Sequence, residues 1–392
     1  MRLTLFPSVA ILLIVAVGCQ QNQPSDKELA QKRWNNARST ILYSLAQDQY
    51  KSRDFDKCKE TLAKSLAMTP DSPQLHSLSA KVAIEQGQLE LAERELEFSR
   101  KLSPGDPEPY YLSGVIYQRW QKPQLALQFY RQAAERAPAE LPYLLAQGEM
   151  LVVLGRTSEA LTLLQAKVAY FENSATIRDA VGQLLMQSGR YSDAVDLFRQ
   201  ASILSEDDDA IRERMANASY HAAQYQRAAE ILTRLTQKDT YAKRADLFVM
   251  LGECQMQLND LHDAARSFET ATELNPYSAH AWQSFGRATM QQGDLRRAEY
   301  ALRRSIGVDG SDAQTHLLLG YVRFREGKME EALQSFQKAS ALDLRDTTSV
   351  CMIGYVYEKM GHPQTAMRYY AQALRARPDD DMARQLMAGV EK

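Results

Sequence analysis

The chain is short of the features that carry chemistry. It has four cysteines in 392 residues, so no dense disulfide framework exists to staple a small secreted fold. Cys254 and Cys351 lie 97 positions apart, and no CxxC or Cys/His cluster is present to hold a metal. The six histidines, His76, His221, His262, His280, His316 and His362, are scattered along the chain. No GxGxxG, GxxxxGK[ST], HExxH or GxSxG occurs, which excludes the commonest nucleotide, metalloprotease and serine-hydrolase sites. Charge of one sign is lacking too. Lys and Arg number 47 against 49 Asp and Glu, which argues against nucleic acid as a partner. Arg296-Arg297 and Arg303-Arg304 read as a solvated helix face. Asn217-Ala218-Ser219 matches a glycosylation sequon but falls inside a helical pattern, so it is discounted. The sequence therefore predicts no enzyme, no cofactor and no metal.

The single long apolar run, Leu3–Val17, is shorter than the roughly 20 residues a membrane helix needs. It follows Arg2, as the apolar core of a signal peptide does. Ala16-Val17-Gly18-Cys19 resembles a bacterial lipobox, although Ala16 stands where Leu is most usual. The same three residues also fit ordinary signal cleavage at a small-x-small site. Cys19 directly after the small residue, with a polar tail behind it, favours the lipoprotein. That resemblance implies cleavage before Cys19 and a diacylglycerol on its thiol. Gln20 rather than Asp follows, which leans toward the outer membrane, facing the periplasm.

What the chain has in plenty is repetition. In Ala245–Ser278 two helical patterns sit back to back, broken at the turn-forming Asn259-Asp260 and ended by Pro276. Phe248, Leu251, Gly252 and Cys254 mark the first helix, and Ala264, Phe268, Ala271 and Leu274 the second. The pattern recurs ten times without a gap. The Gly252 position holds Ala46, Ala80, Gly114, Gly148, Gly182, Ala216, Gly252, Gly286, Gly320 and Gly354. The Ala264 position is Ala everywhere except at Cys58. The Phe268 position is always large: Leu62, Leu96, Tyr130, Leu164, Phe198, Leu232, Phe268, Leu302, Phe336 and Tyr370. Small residues let two antiparallel helices approach closely.

Order, spacing and period resemble the tetratricopeptide repeat. The resemblance implies an all-α, right-handed α-solenoid of stacked helix-turn-helix units. It divides the chain into a signal peptide at 1–18, a lipidated Cys and tether at 19–25, an N-terminal helix at 26–38 and a C-terminal capping helix at 381–392. Between them lie ten repeats at 39–72, 73–106, 107–140, 141–174, 175–208, 209–244, 245–278, 279–312, 313–346 and 347–380. Ser25-Asp26-Lys27-Glu28 reads as a capping box, opening a helix that runs into the first repeat. The sixth repeat carries two extra residues near 237–243. Met382, Leu386 and Val390 form one apolar stripe, suited to covering the end of the stack.

In this family the first helices line a concave groove that takes proteins or peptides. The Met256 position should face it, and eight of its ten occupants are apolar or aromatic. Met186, Tyr220, Met256, Met290 and Phe324 are the candidate partner-binding row; packing against the adjacent helix is the competing role. The position where a chaperone-tail clamp would carry its first Lys holds Tyr43, Ser77, Tyr111, Leu145 and Asp179, so that ligand is not expected. The expectation is a lipid-anchored, non-catalytic scaffold of the bacterial cell envelope. The alternatives are an assembly factor for a pilus or secretion pore, or a subunit recruiting peptidoglycan enzymes or proteases.

Overall fold

The computed structural model describes residues 25–390. The signal segment and Cys19 lie outside the described residues. Within them the chain forms 21 helices and no strand. They fall into two compact units, one ending at Arg156 and the other beginning at Thr157. Each is a stack of antiparallel helix pairs in which a helix packs on the next in sequence.

In the first unit, helix α1 (Asp26–Lys51) pairs with Phe55–Leu66, Pro73–Glu85 with Leu89–Leu102, and Glu108–Arg119 with Pro123–Arg136, followed by Leu141–Val153. The second unit opens with Thr157–Gln165. Five pairs follow, their first helices being Ala175–Gln187, Asp209–His221, Ala245–Gln257, Ala279–Gln292 and Ala313–Arg325, with Thr347–Lys359 beginning a sixth. The capping box is present: Ser25 N–H donates to Glu28 Oε2 at 2.7 Å, and Glu28 N–H donates to Ser25 Oγ. α1 is accordingly 26 residues long and enters the first repeat unbroken. The C-terminal helix Asp381–Val390 buries Ala383, and sets Met382 and Leu386 against Val350, Cys351 and Ala373.

The small and large columns meet face to face. A Cβ built on Gly252 would lie 2.8 Å from Phe268 Cε1, one on Gly182 2.6 Å from Phe198 Cε1, and one on Gly354 2.6 Å from Tyr370 Cε1. Gly114 faces Tyr130 in the same way. The two columns vary together in eight of the ten repeats, the exceptions being Gly148 with Leu164 and Gly286 with Leu302. All five aromatic residues stand opposite Gly, and each Ala (Ala46, Ala80, Ala216) stands opposite Leu. An aromatic ring fills the space that a Cβ and a smaller side chain fill elsewhere, because interior volume is conserved. Cys58 occupies the small column fully buried, its Sγ 3.2 Å from the Ala46 carbonyl.

The turn inside each repeat is left-handed at one fixed position. Gly87, Gly155, Gly189, Gly293, Gly327 and Gly361 take positive φ there. In the other four repeats the same position is Arg53 (60°), Gln121 (56°), Ala223 (57°) and Asn259 (63°). A Cβ in this region costs roughly 1–2 kcal/mol, and Asn bears it best. Ala223→Gly should therefore raise stability by about 0.5–1 kcal/mol, after the entropy glycine adds to the unfolded chain. A lowered melting midpoint would contradict this.

A second device ties successive repeats. In several repeats the fourth residue donates to a carbonyl six positions back, in the loop that enters the repeat. His76 Nε2 reaches Pro70 O at 2.7 Å, Tyr110 Oη reaches Pro104 O at 3.3 Å, Trp282 Nε1 reaches Pro276 O at 2.9 Å, and His316 Nε2 lies 3.2 Å from Gly310 O. Two of the six histidines are thus consumed in fixing loops. One departure from regularity stands out: the helix opening the second unit is only nine residues long, and turns carry the chain from Ala166 to Asn173. Lys167 stands there where other repeats have Ala, Ser or Leu, and a lysine resists close burial between paired helices.

Candidate partner-binding face

First helices of neighbouring repeats touch one another: Ala175–Gln187 with Asp209–His221, Ala245–Gln257 with Ala279–Gln292, and the latter with Ala313–Arg325. The candidate row lies on these helices in the second unit. Met186, Tyr220, Met256, Met290 and Phe324 are all half-buried. Tyr220 rests on the cluster around Leu232, Leu247 and Leu251, and Met256 on Phe268, Trp282 and Phe285. Met290 packs against Leu302, Leu318 and Val322. Phe324 packs against Leu317 and Phe336, with its ring 5.4 Å from that of Tyr355. Tyr220, Met256, Met290 and Phe324 thus have one side against the core, and all five residues keep part of their surface in solvent.

The two polar members of this column show how close it lies to the core. Gln118 Oε1 accepts from Tyr130 Oη at 2.7 Å, and Glu358 Oε2 accepts from Tyr370 Oη at 3.0 Å. These are the two repeats whose large column holds Tyr, so the polar residue satisfies a hydroxyl that would otherwise be buried alone. Burial, reinforced at Tyr370 by the Glu358 bond, pushes both phenols far above their ordinary range.

Beside the apolar row runs a polar ladder, and each rung joins one first helix to the next first helix or to its N-cap residue. Arg214 Nε meets Asp179 at 2.6 Å, Arg244 Nη2 meets Glu213 at 2.9 Å, His280 Nε2 meets Glu253 at 3.0 Å, and Gln283 Nε2 reaches Thr315 Oγ1 at 2.8 Å. In the first unit Lys81 pairs with Glu108 and Gln118 with Glu149. Arg119 and Arg325 add a further contact, donating to the carbonyls of Ile84 and Met290 at the end of the preceding first helix. Cations at that end complement the helix dipole.

Glu253 is the centre of the ladder. Burial would raise its carboxyl, but hydrogen bonds from His280 and Tyr220 outweigh that and hold it below its ordinary value. The same bond raises His280 against the opposing effect of burial. Burial first, and then the Glu253 contact, pushes Tyr220 up to about 12. None of these rungs shows in the sequence, because partners lie about one period apart and nothing local marks them.

Other groups are accounted for structurally. Cys58, Cys254 and Cys351 are free and buried, and burial pushes the thiols of the last two up to about 12, where they are poor nucleophiles. Among the described residues no cluster of three metal-binding side chains occurs, and no helix is long and apolar enough to cross a membrane. An open cleft of about 910 Å³ lies off this face, lined by Arg296, Tyr300, Arg303, Arg304 and Lys328 with Glu299 and Glu326.

Repeat-family models match where this geometry is found. Residues 107–140 and 145–211 match models described as tetratricopeptide repeat, and residues 205–391 match the model described as the cilia and flagella-associated protein 70 C-terminal domain. The chain is a tetratricopeptide-repeat protein. It is similar to the crystal structure of MamA protein, at 20% identity and TM-score 0.42, over 43% of this chain and 92% of that one. It is also similar to MamA 41-end from Desulfovibrio magneticus RS-1, at 16% identity and TM-score 0.42, over 45% and 98%. The Cut9–Hcn1 hetero-tetramer structure from APC/C matches at 13% identity and TM-score 0.43, over 93% of this chain and 99% of that one. No curated protein matches it. Tetratricopeptide repeats build protein–protein interaction scaffolds.

Proposed function

We propose that the chain is a non-catalytic scaffold, held to the bacterial cell envelope by lipid on Cys19, which collects protein partners on its first-helix face. The observation that carries the partner role is the row Met186, Tyr220, Met256, Met290 and Phe324, which keeps apolar edges in solvent along touching helices. Unbranched Met side chains adapt to different ligand shapes. The ligand that suits such a row is an amphipathic helix or an extended segment laying apolar side chains along it. The polar ladder beside it offers carboxylates and guanidinium groups for register.

The Ala16-Val17-Gly18-Cys19 sequence supports the anchor, and Gln20 supports the outer membrane, facing the periplasm. The full chain, expressed in a bacterium, should label with a fatty-acid probe and sediment with membranes. Cys19→Ser should abolish the label and leave the scaffold without its lipid. A mature wild-type chain that is soluble and carries an unmodified N-terminus would rule out the anchor.

A further inference from the structure

α1 has two unlike faces. One is buried: Ser39 and Ala46 lie inside, with Tyr43 and Tyr50 against Leu62, Leu75 and Leu78. The other carries Lys27, Trp34, Arg38, Ile41 and Leu45, at steps of seven, four, three and four, which share one side of a helix. Trp34 is 63% exposed, Ile41 70% and Leu45 47%. Lys27 and Arg38 are exposed and have no ion-pair or hydrogen-bond partner among the described residues. From Asp26 to Leu45 the helix holds four cations, with Lys32 and Arg33, against two carboxylates, and Glu28 is engaged in the capping box. The next acid, Asp48, is paired with Lys51.

We propose that this face of α1 lies on an anionic lipid surface. The chemistry suits the bilayer interface: a Trp ring at headgroup depth, Ile and Leu below it, and Lys and Arg on lipid phosphates. The placement rests on the Cys19 anchor proposed above. Five residues separate Cys19 from Ser25, so the start of α1 is held within about 20 Å of the bilayer. A lipid chain combined with a basic apolar face is the two-signal combination that gives stable attachment. The anchor alone would leave the first repeat swinging on its tether; the seat fixes it against the membrane.

The test uses the full chain on vesicles of phosphatidylglycerol and phosphatidylethanolamine with brominated acyl chains. Fluorescence quenching in the wild type should exceed that in Trp34→Phe, and the excess should shrink on phosphatidylcholine vesicles. In a Cys19→Ser background, Lys27→Glu with Arg38→Glu should weaken partitioning about tenfold or more, since each basic residue near an anionic surface contributes. Equal quenching of wild type and Trp34→Phe, on chain that is vesicle-attached and labelled at Cys19, would overturn the seat and leave the anchor standing. Trp34-dependent quenching without a lipid on Cys19 would support the seat and remove the anchor. A dimer in sedimentation that shields Trp34 from quenching would assign the face to a second copy and overturn the proposal.

Discussion

Gly320→Ala will destabilise the ninth repeat by about 1–3 kcal/mol, the usual cost of an extra group in a filled interior. Adding Phe336→Leu to the same chain will recover most of the loss. A Cβ on residue 320 would stand 2.5 Å from Phe336 Cε1 and 2.6 Å from Cδ1, and Phe336 is fully buried, so the ring cannot swing into solvent. Phe336→Leu alone leaves a void and also destabilises. The two changes together rebuild the Ala/Leu pair that the chain already uses at Ala46 and Leu62, Ala80 and Leu96, and Ala216 and Leu232. The measurement is a double-mutant cycle by chemical denaturation, with hydrogen exchange in repeat nine to place the effect, since neighbours carry most of the coupling in a stack. Additive losses would mean that the two positions do not share one volume. Gly286 makes a useful contrast. It already faces Leu302 rather than a ring, yet a Cβ there would come within 2.6 Å of Leu302 Cγ, so Gly286→Ala has no aromatic partner to trim and is relieved only if Leu302 shifts.

Met256→Gln with Met290→Gln will weaken capture of a partner protein about thirtyfold, as losing an interface anchor does. Gln is close to Met in length and shape, so the pair tests apolar contact while nearly preserving volume. The two sites are half-buried against Phe268 and Leu302, so a small fall in melting temperature is expected as well. Binding to partners recovered from detergent-solubilised membranes is the readout, with helical content by circular dichroism as the control. Unchanged binding with intact helices would confine these side chains to packing.

The repeat period, the helix pairing and the terminal helix were legible because they rest on side-chain size at fixed spacing. Gly252 against Phe268 is a contrast any reader of the sequence can see. The left-handed turn was only half legible. Asn259 announces a turn by its chemistry, whereas Arg53, Gln121 and Ala223 adopt the same backbone with side chains that give no sign of it. The polar ladder was not legible, since Glu253 and His280 become neighbours only once two helices stack. The candidate row was legible as a column, and packing was legible as its competing role, but the particular core residues each member rests on were not. Gln118 and Glu358 read as interruptions of an apolar stripe, and they are hydroxyl partners of Tyr130 and Tyr370.

The ladder also makes the repeats unlike links in a uniform chain. Each rung is cut for one neighbour: Asp179 for Arg214, Glu213 for Arg244, Glu253 for His280. Excising the eighth repeat whole would preserve every helix and every Gly–aromatic pair in the others. It would nonetheless bring Glu253 opposite Gln314, the counterpart of His280 one repeat later, and take from a half-buried carboxylate the imidazole that pairs with it. Like dominoes with numbered ends, the units have an order written into their edges. Gain or loss of a repeat would have to be matched on both sides of the cut.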